Sequence, residues 1–320
     1  MRVVSLLASG TEIVCALGAG DTLVGRSHEC DTPAWVRTLP ACTRPAFDIT
    51  VSSRDIDAEV RRRLKASEPL YHVDADHIRA LEPDLLITQA HCEVCAVTPG
   101  DVARAGCTMA DQVLALSAGS VSGIYDGIRS VAHAMDRPAA GDALIAGMRE
   151  RIEAVTATVR NRPAPTLVVL EWTDPIFAIG NWGPELVEAA GGRPLLGDSG
   201  RHSAAIPWGR VLDADPDYLI VAPCGFDLDR SIQEVLVLEA LPGWLGLTAV
   251  KRGHVAFADG NKYFNRSGTT IVETVEIIAE ILHNAPTKSR WHGNAWRHYR
   301  ELPTTGASSS IHARTVFSTP

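Results

Sequence analysis

The chain has 320 residues, a formal net charge of −8, 46% hydrophobic residues and seven cysteines. Its charges are interspersed and acid-dominated, which excludes the basic field that nucleic-acid binding needs, and no run approaches the roughly 18 apolar residues of a membrane span. The length supports two cores of about 130 residues each.

Met1-Arg2-Val3-Val4-Ser5-Leu6-Leu7 enters a strand pattern at once and leaves no room for the charged and apolar regions of an export signal. The odd number of cysteines suits a reducing compartment better than a disulfide framework, so the cytoplasm is the expected address. After VVSLL come Ser9, Thr11 and Glu12, at a strand-to-helix junction. There Ser9 or Thr11 reads as an N-cap and Glu12 as a first-turn acid, while the same free N–H groups suit an anionic or amide group of a ligand. Cys15 falls on the apolar side of that helix. The next apolar run leads to His28-Glu29-Cys30-Asp31, and Arg44 follows in a Thr-Arg-Pro turn, either meeting a polar group of a ligand or standing as a solvated charge. DLLITQ then opens onto His91-Cys92-Glu93-Val94-Cys95.

Ala143, Leu144, Met148, Ile152, Val155 and Val159 recur at helical spacing, and a Pro-rich run from Asn161 ends the segment. A helix of some twenty residues is roughly 30 Å long, enough to serve as a strut between two lobes. The lobes echo one another: TEIVCALGAGDTLVGRS matches PELVEAAGGRPLLGDS, and EPDLLITQAHC matches DPDYLIVAPC. In the second lobe the strand-following loops carry Trp172-Thr173-Asp174, Cys224-Gly225-Phe226-Asp227 and Asn261-Lys262-Tyr263-Phe264, with Phe177 and Trp182 nearby. Flat aromatic faces of this kind suit a macrocycle, and also suit the closing of a core edge; Trp172 and Trp182 are the foremost candidates for ligand contact.

The expected fold class is α/β, with two Rossmann-like lobes, parallel sheets and a single long bridging helix. The expected divisions are residues 1–138, the helix 139–162, residues 163–284, and a C-terminal appendage 285–320, partly disordered. Loops that follow parallel strands emerge on one edge of a sheet, so the reactive loops are expected to converge on one cleft. Cys92-x-x-Cys95 has the spacing of a zinc knuckle, and with Cys30 it forms a candidate site for zinc or an iron-sulfur cluster, completed by His28, His91 or Cys224. Reduced thiols packed as small apolar groups are the plain alternative. The chain carries no G-x-S-x-G elbow, P-loop or H-E-x-x-H motif.

The opening RVVSLLASGTEIVCALGAGDTLVGRSHECD, the EPDLLITQ strand with its cysteine loop, the bridging helix and the block EWTDPIFAIGNWGPELVEAAGG, taken in order, resemble the class III periplasmic-binding-protein family. Within it they are most similar to the cobalamin-binding branch, whose exported members feed ABC importers; this chain is expected to be a member without an export signal. The resemblance covers roughly residues 1–283 and implies a ligand held in the cleft between the lobes. Cobalamin, another corrinoid or a related metal chelate is the expected ligand, with His28 or His91 as candidate axial ligands of cobalt. Two other readings stand beside it: a metal- or cluster-dependent enzyme using Cys30, Cys92 and Cys95 in the same cleft, and a metal-delivery protein. An ABC permease is an expected partner only if the protein is exported.

Overall fold

The computed structural model describes residues 1–90, 94, 96–105, 110–284 and 290–302. The first lobe is built on β1 (Val3–Ser5), β2 (Leu23–Arg26), the hairpin-like pair β3 (Thr43–Pro45) and β4 (Tyr71–Val73), β5 (Leu85–Gln89) and β6 (Gln112–Leu116). Its main sheet runs β2-β1-β5-β6 with every pairing parallel, and β5 is buried along its whole length, as a central parallel strand requires. β3 and β4 pair antiparallel beside it.

The second lobe contains β7 (Thr166–Thr173), β8 (Ile176–Ala178), β9 (Arg193–Pro194), β10 (Tyr218–Val221), β11 (Val255–Ala258) and β12 (Trp296–His298). The strands β9-β7-β10-β11 repeat the parallel order of the first sheet, which is the structural form of the sequence echo. This sheet is nevertheless mixed, unlike the all-parallel one expected. Only Asp174 and Pro175 separate β7 from β8, too short a link for a parallel crossover, so the chain folds back antiparallel. β12 adds a second antiparallel strand at the other edge.

The echoed helices Ala8–Ala16 and Gly183–Ala189 both lead into a glycine in the left-handed region, Gly18 at φ 70° and Gly191 at φ 79°, where the chain turns toward β2 and β9. The bridging helix runs Pro138–Val159, with proline at its first position, where a missing N–H costs nothing. Gly141 lets it approach the first-lobe helix Val121–Ala134 closely; an added Cβ would lie 2.6 Å from the Ala132 methyl. Further along, Arg151 pairs with Glu273 at 2.9 Å and Glu276 at 2.8 Å on the second-lobe helix Ile271–His283, and Thr156 donates to the Ala189 carbonyl at 2.7 Å. One apolar cluster continues through the helix, from Ile13 and Ile128 past Ile145 and Met148 to Leu186 and Ile277. The strut is thus packed on both lobes along its length. No helix among the described residues is long and apolar enough to cross a membrane.

Within the expected C-terminal appendage, residues 290–302 are joined to the second lobe. The buried Glu280 carboxylate accepts hydrogen bonds from the backbone N–H groups of Arg290 (2.8 Å), Trp291 (3.2 Å) and His292 (2.8 Å) and from Trp296 Nε1 (2.9 Å). That set holds β12 against β11. Replacing Glu280 with alanine leaves these donors buried without partners, so the Glu280→Ala variant should lose about 3 kcal/mol of stability in urea unfolding. An unchanged midpoint would show that the segment is not held this way.

Candidate functional site between the lobes

The loops after β1, β2, β7, β10 and β11 meet where the two sheets face one another, at the carboxyl ends of parallel strands. They enclose a cleft of about 1040 Å³. One wall carries His28, Phe47 and Tyr71, with Ile56, Val60 and Leu64 from one face of the helix Ser53–Ala66. That face exists because these apolar residues recur every four positions. Ser52 starts the helix by accepting from the Asp55 N–H at 3.2 Å. The opposite wall carries Trp172, Phe177 and Phe226, the Trp172 and Phe226 rings 5.1 Å apart and the Arg230 guanidinium 4.2 Å above Phe226.

At the floor, Arg266 joins the lobes. It is 6% exposed and donates to Glu12 Oε1 at 2.6 Å, to Asp31 Oδ1 at 2.8 Å and to Asp31 Oδ2 at 3.1 Å. For Asp31, burial acts upward, but the bonds from Arg266 outweigh it and hold its carboxyl below the usual range. Burial raises Glu12 to about 7, with Arg266 opposing. Glu29, beside them, is raised to about 7 by burial, again against Arg266. At the rim the lobes meet again. Arg54 reaches Asp174 at 2.8 Å, and Ser53 and Thr173 both donate to Glu234 Oε2. Trp172 Nε1 donates to the Ser53 carbonyl at 3.2 Å, and Arg230 Nη2 to the Val51 carbonyl at 3.0 Å.

His28 lies in the cleft wall with Nδ1 2.8 Å from Thr43 Oγ1. Burial and the nearby Arg26 lower its pKa to about 4, so the ring is neutral. Below the cleft opens a second chamber of about 100 Å³, whose lining shares Glu29, Glu171, His202, Cys224, Gly225 and Asn261 with the larger space.

Of the candidate residues, His28, Cys30, Trp172, Phe177, Cys224 and Phe226 line the cleft, while Ser9, Trp182, Phe264 and again Cys224 line the inner chamber. Ser9 and Thr11 are not caps: the helix Ala8–Ala16 starts after Leu7, with no side-chain cap, because both fall inside its first turns. Thr11 instead donates to Cys30 Sγ at 3.0 Å. Burial pushes the Cys30 thiol up to about 12, so without a metal it is a protonated, packed thiol. Glu12 is spent on Arg266. Arg44 is exposed on β3 outside the cleft lining, and Tyr263 packs edge-on against Trp291 at 5.5 Å. His91, Cys92 and Cys95 lie outside the described residues. Among the described residues, the group of three His, Cys, Asp or Glu ligand atoms within 4.8 Å of one another is His292, His298 and Glu301, at the edge strand and not in the cleft.

Phe47, Tyr71, Arg230 and Arg266 were not among the candidates. Arg266 directly follows the flagged aromatic loop, in Asn-Arg-Ser-Gly, and a lone arginine there carries no motif. Glu29 and Asp31 sat inside a flagged loop but were overshadowed by the histidine and cysteine beside them.

The model of the periplasmic binding protein family matches residues 3–261. The chain belongs to that family. Solved structures of similar fold include a periplasmic heme-binding protein from Pseudomonas aeruginosa, 19% identical with a TM-score of 0.67 over 89% of this chain and 93% of that one. The heme-binding protein RhuT from Roseiflexus sp. RS-1 is 23% identical, with a TM-score of 0.62 over 88% and 98%. The vitamin B12 binding protein BtuF of Vibrio cholerae is 19% identical, with a TM-score of 0.61 over 90% and 98%. No curated protein matches in sequence. Membership in a family of periplasmic binding proteins overturns the cytoplasmic address expected above. Cysteine number and the opening residues were weak grounds, since neither bears on the cleft that defines the family.

The raised Glu29 pKa gives this periplasmic binding protein a pH signature. A carboxyl whose folded pKa exceeds its unfolded one binds its proton more tightly when folded, so its contribution to stability is full below 4.5 and falls as pH rises toward 7. Glu29→Gln should flatten that part of the stability profile and raise stability above pH 7 by roughly 2 kcal/mol. A profile with the wild-type slope would refute the assignment.

Proposed function

We propose that this protein is the extracytoplasmic binding component of an ABC importer and that its cleft captures a corrinoid such as cobalamin. The volume and the facing aromatic walls suit a macrocycle, and similar folds hold heme or vitamin B12. The observation that favours a corrinoid over a porphyrin is the state of the arginines. Among the described residues, those lining the cleft already have partners: Arg26 on the carbonyls of Ser27 (2.9 Å) and Leu39 (3.2 Å), Arg37 on Asp31 (3.8 Å), Arg61 on Asp57 (2.6 Å), and Arg230 on Glu234 (2.8 Å). A porphyrin brings carboxylates that must each find a cation, whereas corrinoid side chains end in neutral amides.

His28 supports the same reading. The tautomer with its proton on Nδ1, shared with Thr43 Oγ1, would present the Nε2 lone pair to cobalt, and a ring with a pKa near 4 needs no deprotonation first.

Absorbance titration with aquocobalamin, cobinamide and hemin should give saturable corrinoid binding at least about tenfold tighter than hemin. Trp172→Ala should weaken the corrinoid by roughly tenfold, the loss of one aromatic anchor. His28→Ala should remove the spectral shift of axial ligation. Hemin binding as tight as the corrinoids, or no corrinoid binding at all, would refute the proposal.

A further inference from the structure

We infer that the inner chamber beneath the cleft is a subsite for a primary carboxamide, the end of one ligand side chain reaching down from the macrocycle. This rests on the corrinoid reading and adds to it which part of the ligand is recognised. The chamber is about 100 Å³, room for one short amide-tipped arm and too small for a ring system. It opens to the cleft through the residues the two spaces share, so an arm of a cleft-bound ligand has a path into it.

The chemistry of its ends is opposed. At one end lie Leu7, Ala8 and Ser9, the start of the nine-residue helix Ala8–Ala16, which no side chain caps. First-turn N–H groups there are donors seeking an acceptor. Ser9 is 1% exposed, and its buried hydroxyl has no hydrogen-bond partner. Native proteins rarely leave such a group unsatisfied, and a ligand atom is a direct way to satisfy it. At the throat lie the Glu29 and Glu171 carboxyls, which accept hydrogen bonds when ionised.

A carboxamide matches both ends at once, its carbonyl oxygen toward the helix start and Ser9, its NH₂ toward the carboxylates. Above pH 7, where Glu29 is ionised, a ligand carboxylate would satisfy the helix start but meet Glu29 and Glu171 with like charge, and the Arg266 guanidinium in the same lining is already held by Glu12 and Asp31. An alkyl arm would leave Ser9 unsatisfied. The loop that closes the chamber is held against the helix, since a Cβ added to Gly268 would lie 2.8 Å from Ser9 Cβ, and Arg266 in the same loop is pinned by Glu12 and Asp31. The chamber is therefore preformed.

The test compares cobinamide, with amide side chains, and cobyrinic acid, with the corresponding carboxylates, by calorimetric titration above pH 7. Wild-type protein should prefer cobinamide by at least about tenfold. Ser9→Ala, which adds no volume, should weaken cobinamide roughly fivefold, the size of one lost hydrogen bond, and leave cobyrinic acid unchanged. Ser267→Leu, which fills the chamber from the loop side, should reduce the preference toward one while circular dichroism stays as in wild type. Equal affinity for the two corrinoids, or variants that weaken both alike, would overturn the carboxamide subsite and leave the corrinoid function standing. Failure of both to bind would overturn the function and the subsite together.

Discussion

The contact of Arg266 with Glu12 and Asp31 is the constraint on which the two-lobed arrangement turns. Two carboxyls and a guanidinium meet there with little exposure, and the guanidinium fits because its planar fork reaches both carboxyls while staying ionised in any environment a protein offers. Glu12 comes from the first helix, Asp31 from the loop after β2 and Arg266 from the loop after β11 in the second lobe, so this one side chain ties the facing ends of the two sheets together. Removing one member of such a set leaves the others buried and uncompensated, a cost of about 3–5 kcal/mol, whereas the complete set contributes little net stability. Its role is therefore geometric. It decides where the loops of one lobe stand relative to those of the other.

That floor contact acts together with the rim. Ser53, Thr173 and Glu234 share a buried hydrogen-bonded knot, and Arg230 crosses to the Val51 carbonyl. The helix Ser53–Ala66 is thereby tied to the second lobe at its start while its apolar face lines the cleft. Any opening must break bonds at the floor and the rim and also shear the packing of Pro138–Val159 on the helices of both lobes. A long helix packed at both ends resists bending more than a pair of extended crossover strands does, so the cleft is shaped before a ligand arrives.

Much of the fold was legible in the sequence because it is carried by local pattern. The apolar runs of strand length, the Pro-Asp breaks before β5 and β10, the glycine stops at Gly18 and Gly191 and the helical spacing from Ala143 to Val159 each act within a few residues of themselves. The mixed second sheet was legible only in part: the two-residue link from β7 to β8 is local, but the pairing of β12 with β11 spans some forty residues, and the Glu280 carboxylate that gathers the intervening N–H groups carries no local pattern. The site divided in the same way. His28, Trp172, Phe177 and Phe226 stand in loops that immediately follow strands, so sheet geometry alone brings them to the cleft. Thr11, Glu12 and Tyr263 follow strands too, yet their side chains turn to Cys30, Arg266 and Trp291, partners that no local pattern reveals. Phe47 and Tyr71 were invisible for the complementary reason: their loop and strand belong to the small β3-β4 pair, whose position depends on packing against the main sheet.

The arginines of the cleft show how one fold can serve ligands of different charge. The shape of the space follows from the backbone and the aromatic walls, and heme and vitamin B12 are both held by proteins of this fold. Charge selectivity has to come from side chains that remain unpaired once the protein has folded. Here the folded protein uses its cleft arginines to bind carbonyls and carboxylates of its own, and the acids at the floor are either paired with Arg266 or, like Glu29, pushed by burial toward the neutral form near pH 7. A ligand bearing several carboxylates would have to displace existing ion pairs and then approach Asp31, which remains ionised. On the proposed reading, a neutral, amide-bearing ligand meets none of these costs. On that reading, discrimination in this cleft comes chiefly from the contacts its arginines already make within the protein, with the attractive surface left to the aromatic rings.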